Sequence, residues 1–151
     1  MLIIALLAAC ASTPDRPVIS FDACQPLRVS AAGASADQAA GLDDAISMWH
    51  AIGVTGVARD DAAADLTVVF ESAAPAFHGY YDDQDAAIDI NEDLDDPVER
   101  AITIAHELGH AYGLVHVEPA QRVSVMNPGN LTVAPVLRDR EAIDALWGAC
   151  R

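Results

Sequence analysis

From residue 27 onward, apolar positions switch between strand-like runs and helical spacing. Residues 27–30 (LRVS) read as a short strand, and the small residues 31–34 form a loose connection after it. Ser35 followed by Gln38 makes a capping box, which predicts a helix start. Leu42, Ala45, Ile46, Trp49 and Ile52 then recur on one helical face, and Gly53 is a natural C-terminal cap. Gly41 inside this helix costs about 1 kcal/mol against alanine. Residues 66–70 (LTVVF) are a β-branched run suited to a buried strand. Residues 86–91 place Ile88 and Ile90 on one face within an acidic stretch from Asp82 to Asp96, and that surrounding charge suits an edge strand. Asp96-Pro97-Val98-Glu99 is a second helix start, with Asp96 as cap, Pro97 in the first position and Glu99 completing the box. Val98, Ile102, Ala105 and Tyr112 follow at helical spacing, and Gly113 ends the helix. A last helix is expected over residues 138–146, with Ala142, Ile143, Leu146 and Trp147 as its buried side. No repeat and no second domain is visible.

Charge narrows the function. The 151 residues carry 8 Lys and Arg against 23 Asp and Glu, a formal net charge of −15. No basic stripe exists to neutralise phosphates, which excludes a nucleic-acid binder and adsorption to anionic lipid by charge. The same charge steers, weakly, toward basic substrate segments. Hydrophobic residues at 52% are too many for disorder. No apolar run reaches the roughly 18 residues of a membrane span. The length suits one domain with a short leader, burying roughly 70% of its unfolded surface.

Residues 1–9 (MLIIALLAA) carry no charge and suit the apolar part of a secretory signal, although no Lys or Arg precedes them. Leu7-Ala8-Ala9-Cys10 resembles the lipobox of bacterial lipoproteins, in which the Cys becomes the lipidated N-terminus. That resemblance implies a signal and lipobox segment over residues 1–10, lipidation at Cys10, a polar tether over 11–23 and one domain over 24–151. A plain cleaved signal, or a short buried strand, is the alternative. Three cysteines are an odd number. With Cys10 lipidated, Cys24 and Cys150 remain as a pair that an exported compartment would oxidise. The rival reading has two unrelated buried thiols.

His106-Glu107-Leu108-Gly109-His110 falls on the second helix. Four residues are about one helical turn, so both imidazoles point to one side and can offer two nitrogens to one zinc ion. Glu107 is turned partly away, where a carboxylate can contact water without taking a coordination position. Gly113 accepts positive φ freely, so the chain can turn sharply and return His116 to the same ion. Three His ligands leave a fourth position open, as in catalytic rather than structural zinc sites.

The run HELGHAYGLVH, from His106 to His116, resembles the long zinc signature of the metzincin metalloproteases. Ser124-Val125-Met126-Asn127-Pro128 resembles their Met-turn, whose Met underlies the zinc site. The matrixin branch and its small bacterial relatives look most similar: residues 64–70 resemble the matrixin strand after the first helix, and residues 139–148 the closing helix. Departures are equally specific. The branches that use a Tyr ligand place it two residues after the Met, where this chain has Pro128, so no tyrosine ligand is carried over. Only His78 lies in the stretch of the matrixins' structural zinc, and that site is not expected. Asp82, Asp83, Asp85, Glu92, Asp93 and Asp95 offer carboxylates where matrixins hold calcium (Ca2+), but their spacing is not that of an EF-hand, and an acidic run is more commonly a solvated face. Cys24 ligating zinc as a latency device is a further alternative to its pairing with Cys150. His50 reads as an exposed helix residue, Trp49 and Trp147 as core anchors, and Tyr80-Tyr81 as cleft lining or strand-end packing.

The resulting expectation is an α+β, metzincin-like fold: a small twisted mixed sheet of four to five strands with three main helices. The resemblance implies a zinc (Zn2+) endopeptidase with His106, His110 and His116 as ligands, Glu107 as general base and Met126 beneath. Substrate would add a strand along residues 86–91, and residues 128–136 would wall the pocket beside the cut bond. The expected partner is a protein or peptide substrate of a monomer, exported to a bacterial envelope or secreted, with membrane contact only through the lipid. The alternative is a zinc-containing lipoprotein that captures peptide without cutting it.

Overall fold

A computed structural model describes residues 18–150 of the chain. The signal, Cys10 and most of the expected tether lie outside those residues. The described elements are β1 (Leu27–Ser30), α1 (Ala36–Ala51), β2 (Val57–Arg59), β3 (Leu66–Glu71), β4 (Gly79–Asp82), β5 (Ala87–Asn91), α2 (Pro97–Ala111) and α3 (Leu137–Trp147). This is the α+β architecture expected, with a five-stranded mixed sheet in the order β2-β1-β3-β5-β4. Four strands are parallel, and β4 alone runs antiparallel, on the outer side of β5.

Strand β5 is therefore not the edge. It pairs with β3 along Thr67–Glu71 and with β4 on its other side, and Ile88 and Ile90 are fully buried. The edge is β4. The acidic residues that suggested an exposed strand belong instead to the β4–β5 hairpin turn and to the loop before α2. In that turn, Asp82 accepts from the Gln84 amide at 2.8 Å. Ala86 holds a left-handed φ of 53°, and β5 begins immediately after it.

Both long helices start as their caps dictate. Ser35 and Gln38 exchange bonds of 3.2 and 2.9 Å. Asp96 accepts from the Val98 and Glu99 amides, with Pro97 at the first position. The two helices pack on each other, and α2 also lies against β4 and β5. Gly41 is explained by that packing: a Cβ there would stand 3.0 Å from the Arg100 Cδ of α2. Trp49 is fully buried between them, donating to the Ala105 carbonyl at 3.1 Å and meeting the Tyr112 ring edge-on at 5.7 Å. Leu146, expected on the buried side of α3, is exposed, and so is Val98 on the first turn of α2. Ile143 is the residue that seats α3 in the core, with Trp147 partly buried against it. His50 is exposed on α1, its Nε2 2.8 Å from the Val57 carbonyl.

Cys24 and Cys150 form a disulfide, with Cα atoms 5.0 Å apart and a separation of 126 positions in sequence. The paired reading of these cysteines therefore holds over two free thiols and over Cys24 as a metal ligand. Residues 18–23 run along the domain ahead of the bridge. The Ile19 amide donates to the Asp83 carbonyl, the Phe21 amide to the Ala111 carbonyl, both at 2.8 Å, and the Tyr81 hydroxyl to the Ile19 carbonyl at 2.7 Å.

Candidate metal centre

The site grows out of the last turn of α2. His106 and His110 are one helical turn apart and face the same way, with ring centroids 4.9 Å apart. Helix α2 then stops. Gly113 adopts φ +87°, and the Leu114 amide bonds back to the Gly109 carbonyl at 2.9 Å. The reversal brings His116 against both earlier histidines. Its Nε2 lies 3.1 Å from His106 Nε2 and 3.2 Å from His110 Nε2. The three residues offer ligand atoms all within 4.8 Å of one another.

The far side of two rings settles their chemistry. His106 Nδ1 is 2.7 Å from the Val125 carbonyl, and His110 Nδ1 is 2.9 Å from the Leu114 carbonyl. A carbonyl only accepts, so each Nδ1 carries the hydrogen and each Nε2 presents a lone pair. The His116 Nε2 stands about 3 Å from both of those lone pairs, where a shared cation would hold the three rings together. Burial also favours the neutral ring: it holds the His106 imidazole down to about 4 and lowers His110 too, against the pull of the two carbonyl bonds. Two neutral imidazoles with fixed tautomers, joined by His116, are a donor set that can hold a metal ion, and zinc is among the ions that imidazole suits.

Glu107 is buried beside this cluster, 6% exposed. Loss of solvent pushes its carboxyl up to about 7, with the Tyr81 backbone amide pulling the other way. It faces open space, lining cavities on both sides of the histidines together with Gly79 and His116. A Cβ at position 79 would come 3.2 Å from the Glu107 side chain, so the glycine lets β4 approach the carboxylate closely.

Below the histidines lies the turn that carries Met126. Met126 is fully buried, with Sδ against Gly109. The turn is held from within by Asn127, which bonds the Ser124 amide and the Val117 and Arg122 carbonyls. Val117, next to His116, donates to the Met126 carbonyl at 3.0 Å. From outside it is held by Asp139 of α3, which is fully buried. Asp139 accepts from the Ser124 hydroxyl at 2.5 Å, the Val125 amide at 3.0 Å and Arg122 at 2.7 Å. Val125 thus connects Asp139 to His106. The sequence reading did not single out Asp139 or Asn127. The available signal for Asp139 was its place four residues before Ile143, which puts an acid on the apolar face of α3.

The expected residues divide cleanly. His106, His110, His116, Glu107, Gly113 and Met126 come together. His78 lines the same cleft but is not in the histidine cluster. Tyr81 is buried, and Tyr80 lines the cleft. Of the wall expected over residues 128–136, Gly129 and Asn130 reach the cavity.

No family model matches the chain, and no curated protein does. Among solved structures it is similar to two of myroilysin. One is 15% identical, covering 66% of this chain and 54% of that chain with a TM-score of 0.50. The other is 14% identical, covering 87% of this chain and 66% of that one with a TM-score of 0.51. This chain thus spans between about half and two thirds of those chains' lengths. At these identities the likeness is one of fold: the mixed sheet and three helices are myroilysin-like.

Proposed function

We propose that the chain is a zinc-dependent endopeptidase of the metzincin type, closest to the matrixin-like bacterial branch. The observation that carries this reading is the convergence of three Nε2 lone pairs, two of them fixed by carbonyl partners, beside a buried carboxylate in an open cleft. His106, His110 and His116 would hold the ion. When bound, zinc supplies Lewis acidity that polarises a peptide carbonyl and acidifies water. The remaining work falls to the chain. Among the described residues β4 has a strand partner on one side alone, and its other side can accept an extended peptide as an added strand. Glu107, with a carboxyl near neutrality, takes a proton from the attacking water and delivers it to the departing amine. Val125 and Leu114 hold two imidazoles in the ligating tautomer.

The fold likeness and the intact signature both favour this reading. So does the open cleft, because a peptide-capturing protein without catalysis would be favoured by a segment closing over the histidines. The acidic segment that could do so lies mostly on the hairpin turn and the loop before α2. The lipobox-like residues ending in Cys10 and the oxidised Cys24–Cys150 pair support an exported, lipid-anchored protein. Labelling with a radioactive fatty acid tests the anchor, and Cys10→Ser should abolish the label.

The test of activity is cleavage of a mixed unfolded-protein substrate, run beside a chelated sample and Glu107→Ala. Cutting should vanish with the chelator. It should fall about 10²–10⁴-fold in Glu107→Ala, with zinc still bound. Turnover retained by Glu107→Ala would remove that residue from the base role.

A further inference from the structure

The cleft is lopsided about the histidine–glutamate cluster. Toward Phe77, Thr103 and Asn130 the cavity is about 230 Å³. Toward Val18, Tyr80 and Val115 it is about 600 Å³. Both open from the same point, since Gly79, Glu107 and His116 line each of them. The larger side also gathers exposed apolar surface: Val18 is 66% exposed, Tyr80 54% and Val115 75%. Apolar side chains grouped around a concave surface mark a binding site.

The wall is built, not loose. Val18 and Ser20 flank Ile19, whose amide and carbonyl bond the Asp83 carbonyl and the Tyr81 hydroxyl. The next anchor is the Phe21 amide on the Ala111 carbonyl.

We propose, resting on the endopeptidase reading, that the larger cavity receives a large apolar side chain one or two positions on the amino side of the cleaved bond, with Val18, Tyr80 and Val115 as specificity-determining residues. Strand direction assigns the side. An added strand pairs slightly better antiparallel than parallel. Antiparallel to β4, its amino half lies beside Tyr80–Asp82 and its carboxyl half beside Gly79 and Phe77. The amino half therefore meets the 600 Å³ cavity. The carboxyl half meets the 230 Å³ one, where Phe77, His78, Thr103 and Asn130 leave less room and suit a smaller residue.

The test uses a randomised peptide library with the wild-type chain, reading both product ends by mass spectrometry, beside chelated and Glu107→Gln controls. Phe, Leu or Tyr should be enriched in the last two residues before the cut. For a matched pair of peptides with Phe or Ala at the preferred position, kcat/KM should differ by about 10-fold or more. Tyr80→Ala and Val115→Ser should each bring that ratio below about threefold. Val115→Ser keeps the test sound if Tyr80→Ala disturbs the edge strand. Enrichment confined to the carboxyl side, no enrichment, or a ratio unmoved in both variants overturns the inference and leaves the endopeptidase standing. Absence of chelator-sensitive cleavage across the whole library overturns both.

Discussion

Met126 Sδ occupies the space that a Cβ on Gly109 would need, so α2 and the turn over residues 124–127 fit through the absence of one side chain. On a free helix, Gly→Ala would gain about 1 kcal/mol. Here the added methyl must push the turn away, and overpacking of this kind costs about 1–3 kcal/mol. Gly109→Ala should therefore lower the melting temperature. It should also weaken zinc binding, because the displaced turn carries the Val125 carbonyl that orients His106. Thermal melts and zinc competition read the two effects. Gly109→Ala combined with Met126→Ala should regain part of the loss, and a stabilised Gly109→Ala single variant would contradict the fit.

Asp139 reaches the histidine cluster through Val125, which bonds it on one side and His106 on the other. It is fully buried and holds Ser124, Val125 and Arg122 at once. Asp139→Ala leaves the Arg122 guanidinium and two buried donors without their acceptor, and losing one partner of a buried pair costs about 3–5 kcal/mol. Loosening Val125 should also cost about 10–100-fold in zinc affinity, the usual effect of removing an outer-shell partner. Denaturant unfolding and zinc competition check these. Zinc affinity unchanged in a variant that still folds would confine Asp139 to stability.

The Arg28–Asp65 pair sets a pH dependence. Arg28 meets both Asp65 oxygens, at 2.7 and 2.9 Å, and its amide adds a third bond at 3.1 Å. The guanidinium bonds, first among these, hold the Asp65 carboxyl down from 3.8 to about 2. A carboxyl depressed in the folded state contributes stability above its unfolded pKa, and that contribution fades as pH falls through the folded value. The window is thus from about 4 down to about 2. Carboxyl NMR titration should place Asp65 near the lower end, and Arg28→Ala should move it most of the way back. The stability difference between wild type and Arg28→Ala should be full at pH 5–6 and mostly lost by about pH 2; a difference undiminished there would assign it to something other than the ion pair.

Much of this architecture is legible in the sequence because its signals are local. Ser35 with Gln38, and Asp96 with Pro97, announce α1 and α2 on their own, and helical period then places His106 and His110 together. Gly113 is legible as a turn because the chain must reverse for His116 to reach the cluster. What stayed hidden depends on pairing. GYYD at 79–82 and VAR at 57–59 are too short to show a period. The edge went to residues 86–91 because acidic side chains mark an exposed strand and a hairpin turn alike. Asp139 passed as an ordinary helix acid, since a charge on a helix reads as solvated until something is seen to bond it. Gly41 and Gly109 registered as a propensity cost and a motif letter, and only the packed partners, Arg100 and Met126, show why each lacks a side chain.

The disulfide makes a global and a local claim, and the two can be separated. Joining Cys24 to Cys150 closes a loop of more than a hundred residues, so the chain-entropy argument assigns it about 4–5 kcal/mol through the unfolded state. Cys24→Ser with Cys150→Ser should lose most of that in denaturant unfolding. The bridge also anchors residues 18–23, whose Ile19 and Phe21 amides bond the Asp83 and Ala111 carbonyls beside the cleft. If the anchor matters in the folded state, hydrogen exchange at Ile19 and Phe21 should quicken under native conditions by more than at the buried amides of β5. A uniform increase across both would mean that the bridge acts through global stability alone, and that the amino-terminal wall of the cleft holds itself in place by its own hydrogen bonds.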